Sequence, residues 1–553
     1  MPAVPYAADV IDLLLTVGYI DGVFHERERA FVHHYLESLI EKTENAAPAI
    51  GIGIGMGMGI GIGAIAGNDR GPFDDLFDRL EQEIAILAQE VTPAAHGGFV
   101  PTRLKVRALT IFAKLPPEAR GPTLELVRAL IAADGMIAAP EHDLFEELSR
   151  YFATAASTAA IKPSARPMQV TAPLRLRVAT TSHPLLDPIE RAYPIDANER
   201  TIQVAHDHEL AVRSIAAWRQ MRANGHGKLD GITDVAQLPA GAEFLDGHVH
   251  VLRPDRPTEL IVLGDLHGCY ACLKAAIMQS GFLDRAVAHQ QDPRNPPVKL
   301  VFLGDYIDRG KFGMDGVLRA VLRLFLSFPE DVIVLRGNHE YFISFPTEVK
   351  SAVAPAETIA SVAPHVPRAL LETYCQLFEE MPTSYLVDRT LFVHGGIPRD
   401  DTFAQKFRDL SSLDDPEIRF QMMWSDPAQT DRVPVALQRQ NPRFNFGRQQ
   451  FTTFMQRAGL KTMIRGHDKI ETGFDVIYDG DPLLLNLFSA GGDLNDDLPP
   501  GASYRSVTPM AMTIEHSAKS IVATPWPIDW QSFNVATHNG FRRLLPSIPF
   551  IAS

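Results

Sequence analysis

The stretch Leu260-Ile261-Val262-Leu263-Gly264-Asp265-Leu266-His267-Gly268 sets an apolar run directly against a carboxylate and an imidazole flanked by glycines. Four consecutive apolar residues predict a buried strand, and the glycine predicts a sharp turn at its carboxyl end. Four other stretches repeat the pattern. Leu300-Val301-Phe302-Leu303 runs into Gly304-Asp305-Tyr306-Ile307-Asp308-Arg309-Gly310, and Val332-Ile333-Val334-Leu335 into Arg336-Gly337-Asn338-His339-Glu340. Leu391-Phe392-Val393 meets His394-Gly395-Gly396, and Thr462-Met463-Ile464 meets Arg465-Gly466-His467-Asp468. Apolar strands that each end in a carboxylate, imidazole or carboxamide predict one rim of a sheet lined with metal ligands.

The 553 residues are 46% hydrophobic and 22% charged, the composition of a globular chain with room for several cores. A formal net charge of -15 speaks against nucleic acid as a partner, because a binder of phosphate backbones needs a basic footprint. Phosphate chemistry needs only local arginines and metals, so it stays open. Cys269, Cys272 and Cys375 cannot build a disulfide framework, which points to a reducing, cytoplasmic setting. Met1-Pro2-Ala3-Val4-Pro5 lacks the basic start and apolar core of a signal peptide.

Residues 1–152 read as an all-helical module. Helical runs around Val10 to Leu15 and Phe31 to Leu36 bracket Asp21-Gly22, with Glu28 seven residues after the Asp. A second copy has Leu126 to Ile131, Asp134-Gly135, Glu141 and Leu144-Phe145. This weak repeat of helix, Asp-Gly turn and helix resembles the TerB-like tellurite-resistance domains, whose acidic turn residues are proposed to bind metal. Capping explains the same residues without a metal, because carboxylates are favoured in the first turn of a helix. The resemblance implies a module that docks a protein partner or senses stress.

The module is interrupted at 46–67 by a segment with the core Ile50-Gly51-Ile52-Gly53-Ile54-Gly55-Met56-Gly57. It is long enough to span a bilayer, but each glycine disfavours a helix by about 1 kcal/mol in water. A low-complexity loop is expected there, not membrane contact. Residues 153–167, rich in Ala, Thr, Ser and Pro, read as a linker, and 168–256 as a mixed α/β connecting region. Within that region Leu174 to Val178 alternates like a strand, and Asp207 is expected to cap a helix covering Glu209 to Met221. His248 and His250 have no carboxylate at a known ligand spacing and are taken as structural.

Taken together, the five rim motifs resemble the phosphoprotein phosphatase family of calcineurin-like metallophosphoesterases. Trp424-Ser425-Asp426-Pro427, Asn441-Pro442-Arg443 and Leu487-Phe488-Ser489-Ala490 add further family stretches. The resemblance implies a multidomain chain whose 257–533 segment is an α/β metallophosphoesterase domain of two packed mixed sheets flanked by helices, followed by a tail at 534–553. It also implies two divalent metal ions, with Mn²⁺ the leading choice and Fe or Zn²⁺ the alternatives. Asp265 and His267 would hold the first metal, Asp305 would bridge both, and Asn338, His394 and His467 would hold the second. Two metals a few ångström apart lower the pKa of a bridging water and neutralise the phosphate. The attacking species in the family is therefore a bridging hydroxide. Arg309 and Arg443 would hold the phosphoryl oxygens, and His339, paired with Asp308, would protonate the leaving oxygen.

The implied function is hydrolysis of phosphomonoesters, with a phosphorylated protein carrying phosphoserine or phosphothreonine, or a small phosphorylated molecule, as substrate. A diadenosine-tetraphosphate-type nucleotide pyrophosphohydrolase uses the same ligands and is the alternative. Three stretches depart from the family pattern. Gly491-Gly492-Asp493 follows Ala490, which removes the aromatic residue the family places near the site. A Pro- and Ala-rich insertion follows Tyr341-Phe342-Ile343, and a polar one surrounds His289 to Pro297. Loops of this kind select the substrate, so the departures bear on specificity and not on the metals. Cys269 and Cys272, just after the first motif, are expected to be packing residues of a helix start, a redox pair being the other reading. Two closing strands are expected at Met510 to Ile514 and Ser520 to Ala523.

Overall fold

The computed structural model describes residues 6–20, 24–45, 77, 79–82, 84, 99–133, 139–154, 168–178, 180–191, 197–517 and 520–543. The chain divides into two compact units, one comprising Met1–Lys162 with Ala428–Arg448, the other Pro163–Pro427 with Gln449–Ser553.

In the first unit the described residues include helices α1 (Ala7–Gly18), α2 (Glu26–Asn45), α3 (Phe99–Lys114), α4 (Pro117–Ile131) and α5 (Ala139–Thr154). They pack around Val10, Leu14, Leu109, Phe112, Val127 and Leu148, joined by Val433 and Leu437 of the later segment. The main-chain N–H of His25 donates to Glu28 Oε2 at 3.0 Å, so this glutamate reaches back to cap the start of α2. Glu141 lies in the first turn of α5. Both observations match capping. The Asp21-Gly22 and Asp134-Gly135 turns, the 46–67 segment and residues 155–167 lie outside the described residues. Among the described residues no helix is long and apolar enough to cross a membrane.

The second unit is an α/β fold with two mixed sheets. The first sheet contains β1 (Gln169–Val170), β4 (Thr258–Leu263), β5 (Val298–Phe302), β6 (Val332–Val334), β14 (Met510–His516) and β15 (Ile521–Pro527). Its order is β1-β15-β14-β4-β5-β6, with β4, β5 and β6 parallel and β14 antiparallel to β4. The second sheet contains β2 (Glu243–Asp246), β3 (Val249–Leu252), β9 (Ser384–Val387), β10 (Thr390–Val393), β11 (Thr462–Arg465), β12 (Phe474–Tyr478) and β13 (Leu483–Leu487). Its order is β12-β13-β11-β10-β9-β3-β2, with β10, β11 and β13 parallel. A hairpin of β7 (Phe342–Ser344) and β8 (Val349–Ser351) stands apart from both.

The strand period of two sorts the apolar runs onto two faces. Leu260, Val262, Val301, Leu303 and Ile333 share a core with Tyr385, Phe392, Ile464 and Leu485, so the two sheets pack against each other there. Their alternates Ile261, Leu263, Leu300, Phe302 and Val334 face the helices instead. Cover on both faces is why these strands read as unbroken apolar runs. The helices include α6 (Asp187–Arg191), α7 (Ala197–Gly225), α8 (Tyr270–Ser280), α9 (Phe282–Gln291), α10 (Arg319–Ser327), α11 (Glu357–Val362) and α12 (Arg368–Glu380).

Two expectations for the connecting region are corrected. Asp207 is not a cap, because α7 begins at Ala197 and carries it in mid-helix. Its carboxylate instead receives Nε and Nη2 of buried Arg319, each at 2.7 Å. Leu174 to Val178 is no strand either. Leu174 is 55% exposed, and the chain follows β15 only as far as the bond from Leu174 N–H to the Pro525 carbonyl. His250 is buried against the ring of Tyr385, consistent with a structural role, and the closing strands are β14 and β15.

Candidate active site

All five motifs lie at carboxyl ends of strands, with Asp265 after β4, Asp305 after β5, Asn338 and His339 after β6, His394 after β10 and His467 after β11. Asp265, Asp305 and His394 are 0%, 1% and 0% exposed. His267, Asp305 and His467 take positive φ values of 42°, 55° and 70°, which turns each side chain inward from its strand end. Close approach also requires two of the motif glycines. A Cβ on Gly337 would come within 2.2 Å of Asp305 Oδ1, and one on Gly466 within 2.2 Å of Asp265 Oδ1.

Nδ1 of His267 lies 3.0 Å from the Ile307 carbonyl, and Nδ1 of His394 lies 3.0 Å from that of Leu303. A carbonyl only accepts, so each Nδ1 carries a proton, and in the neutral form that can bind a metal each Nε2 presents a lone pair. For His267 that lone pair faces Asp305 Oδ2 at 3.5 Å and Asp265 Oδ2 at 3.7 Å. For His394 it faces Asn338 Oδ1 at 2.9 Å, His467 Nδ1 at 3.2 Å and Asp305 Oδ1 at 3.3 Å. The His467 N–H donates to Asp265 Oδ1 at 2.9 Å. The structure thus brings Asp265, His267, Asp305, Asn338, His394 and His467 into one buried cluster, with Asp305 between two groups of imidazoles.

His339 stands beside the cluster. Its Nδ1 is 2.8 Å from Asp308 Oδ2, its Nε2 is 3.9 Å from Asp305 Oδ2, and its main-chain N–H donates to Asp305 Oδ1 at 3.1 Å. Asp308 is itself held by α11, since Thr358 N–H donates to Asp308 Oδ1 at 2.8 Å and Asp308 N–H donates to Thr358 Oγ1 at 2.7 Å. Next to it, Arg309 is half-buried and pairs through Nη1 with Glu357 at 2.9 Å. Arg443 belongs to the 428–448 segment, which groups with the first unit. Arg336 is turned away from the cluster, donating to the Glu340 carbonyl and to Glu379.

Burial dominates the electrostatics. It pushes the Asp265 carboxyl up to about 7, with Asp305 adding to the rise and His394 opposing it. It also draws His267 down to about 3, despite the nearby Asp305. At His394 burial acts downward, but Asp305, Asp265 and Glu340 outweigh it and lift the imidazole to about 9. At His339 burial is likewise outweighed, by Asp305 and by the hydrogen bond to Asp308, and the pKa is raised. Protons on His394 and His339 therefore balance part of the carboxylate charge, a role a cation would take over. The donor set fits divalent metals, with two groups of ligand atoms, one from His267, Asp305 and His339 and one from Asp305, His394 and His467. In support of that fit, Asp265 Oδ2 is buried in the cluster with no hydrogen-bond donor among the described residues. A buried carboxylate oxygen left so is costly unless a cation meets it.

Some supporting residues carry no role in the sequence reading. Glu340 accepts N–H bonds from Asp305, Tyr306, Ile307 and Gly337, and so shapes the turn that presents Asp305. Its position next to His339 was the available signal. Arg465, fully buried, ties Asp426, Asp468 and Asn486 together behind His467. Gly491-Gly492-Asp493 leaves no aromatic side chain directly after Ala490, but one reaches the site from elsewhere. Tyr504 places its ring 5.1 Å from His267 and its hydroxyl 3.4 Å from His267 Nε2, reaching the site from a later loop. Cys269 and Cys272 are both fully buried, 2.9 Å apart, and burial holds the Cys272 thiol well above its ordinary pKa. That environment favours packing over redox chemistry.

These features define a dimetal type of site on a two-sheet α/β fold, and residues 258–470 match the family model for calcineurin-like phosphoesterases. Over those residues the chain is similar to the calcineurin-like metallophosphoesterases, a class of phosphoric ester hydrolases. Among curated proteins, a probable serine/threonine-protein phosphatase of Encephalitozoon cuniculi is 24% identical over 317 residues, covering 57% of this chain. The chain spans 62% of that relative's length. Among solved structures, a protein serine/threonine phosphatase from Saccharomyces cerevisiae aligns with a TM-score of 0.36 at 16% identity, over 58% of this chain and 89% of its own. A cold-active protein-tyrosine phosphatase from a Shewanella species aligns with a TM-score of 0.31 at 16% identity, over 51% and 82%.

Proposed function

We propose that the protein is a metal-dependent phosphomonoesterase acting on phosphoserine or phosphothreonine in proteins. The observation that carries this reading is Asp305, a buried carboxylate shared by two groups of metal-ligating atoms, with His339-Asp308 and Arg309 at its side. In this reading Asp265 and His267 would hold one divalent cation and Asn338, His394 and His467 the other, with Asp305 as the ligand shared between them. Manganese is the first choice of metal, with iron and zinc next. Bound there, such cations polarise phosphoryl oxygens and make water a competent nucleophile at neutral pH.

The chain's own groups do the rest. His339 keeps its Nδ1 on Asp308, which leaves Nε2 to deliver a proton to the departing alkoxide and leaves the carboxylate to stabilise the imidazolium. His339 also falls within one metal-ligating group, and the acid role is assigned to it from its place in the Gly337-to-Glu340 motif. Arg309, anchored by Glu357, holds a phosphoryl oxygen, and Arg443 is assigned the same task from its motif. The protein-phosphatase assignment is supported by the relative's description as a probable serine/threonine-protein phosphatase and by the Trp424-to-Pro427 and Leu487-to-Ala490 stretches. Residues 1–152 are read with it as a TerB-like helical module that docks a protein partner, and the protein is placed in the cytoplasm.

A panel of a phosphoserine peptide, p-nitrophenyl phosphate and diadenosine tetraphosphate, each with Mn²⁺ and with chelator, tests the reading. The expected result is Mn²⁺-dependent turnover of the two monoesters, with the peptide preferred by kcat/KM over the dinucleotide. Preference for the dinucleotide would transfer the assignment to nucleotide pyrophosphohydrolysis, and no turnover with any metal would make the fold a scaffold.

A further inference from the structure

Tyr504 sits in the short 3₁₀ turn Ser503–Ser506, far from every motif in sequence. Its loop is pinned by Arg505, which donates to the main-chain carbonyls of Pro499, Leu498 and Asp493 at 2.8, 2.7 and 2.6 Å. The ring packs 5.1 Å from His267 and 5.2 Å from Phe488, and this fixes where the hydroxyl points. The hydroxyl lies 3.4 Å from His267 Nε2, the nitrogen whose lone pair faces the carboxylates. The guanidinium of Arg309 acts on the same hydroxyl, through its charge and a side-chain hydrogen bond. Glu357 and the Pro355 carbonyl occupy Nη1 of Arg309 and hold the arginine in place.

We propose that the Tyr504 hydroxyl is a substrate-binding group, donating a hydrogen bond to the phosphoryl group between Arg309 and the Asp265-His267 end of the cluster. The inference rests on the phosphatase reading above. A phenol is a neutral O–H donor near pH 7, so it adds a directed bond to a dianionic group without adding charge.

The test compares Tyr504→Phe with the wild-type holoprotein loaded with Mn²⁺. It measures metal content, the binding of inorganic phosphate by calorimetry, and kcat and KM for p-nitrophenyl phosphate. Loss of one hydrogen bond to a charged group predicts unchanged metal content, phosphate binding weakened about tenfold, and kcat/KM lowered roughly 10- to 100-fold. Phosphate binding and kcat/KM both within about twofold of wild type would overturn the inference while leaving the phosphatase reading intact. Loss of metal in the variant would also overturn it, by making Tyr504 a support for His267. If the wild-type protein hydrolyses no monoester with any metal, the phosphatase reading falls, and the phosphate titration decides the role of Tyr504 by itself.

Discussion

Asp305→Asn is expected to lose both bound metal and turnover. The carboxylate is 1% exposed and faces His394 Nε2 at 3.3 Å through one oxygen and His267 Nε2 at 3.5 Å through the other. Asparagine keeps the shape and can hold the positive φ of 55° at this turn, since its short polar side chain tolerates the left-handed region. It can also still accept the His339 N–H. The substitution therefore removes charge and leaves the backbone in place. Changes in groups that merely orient ligands cost about 10- to 100-fold in metal affinity. Removing the charge shared by two cations should exceed that, with turnover falling roughly 1,000-fold or more. Elemental analysis of the purified variant checks the first part, and a full metal complement would count against the bridging assignment.

His339→Asn is expected to lose turnover by another route. The Asp308 contact can be kept, because the asparagine amide can donate to the carboxylate that Nδ1 now faces at 2.8 Å. What disappears is a titratable proton on the Nε2 side. General-acid catalysis contributes about 100- to 10,000-fold, and the loss should scale with the need of the leaving group for a proton. The variant should retain both metals and lose far more activity on a phosphoserine peptide, whose leaving group is an alkoxide, than on p-nitrophenyl phosphate. Equal losses on both substrates would point to a ligand role for His339, as would missing metal.

The candidate metal-ligating cluster was legible in the sequence because its physics is local. A strand buried on both faces must be apolar throughout, and a ligand presented from its end needs a tight turn, so each motif declares itself within about ten residues. That pattern placed Asp265, Asp305, Asn338, His394 and His467 at strand ends but on the rim of one sheet, whereas the structure divides their strands between two, β4 to β6 in the first sheet and β10 and β11 in the second. The supporting groups were not legible, because distant chain segments bring them. Thr358 and Glu357, on α11 in the insertion after β7, orient Asp308 and Arg309 across some fifty residues. Tyr504 is 237 residues from His267, and nothing in its own neighbourhood marks it. Asp207 misled for the same reason. Next to two histidines it resembles a cap or a ligand, while its real partner, Arg319, lies 112 residues further on.

The insertion after β7 also takes on a second role. It was expected to act on specificity alone, yet α11 supplies both hydrogen bonds between Thr358 and Asp308 and the anchor of Arg309. Changes in that loop would thus reach the proton donor and the phosphate clamp as well as the substrate groove.

The most direct test of the dimetal assignment is to strip the wild-type protein with chelator and titrate it with Mn²⁺ while following p-nitrophenyl phosphate hydrolysis. The account predicts no turnover in the stripped protein and recovery that saturates at about two equivalents of metal per chain. Undiminished hydrolysis after complete removal of metal, or saturation at a single equivalent, would contradict it.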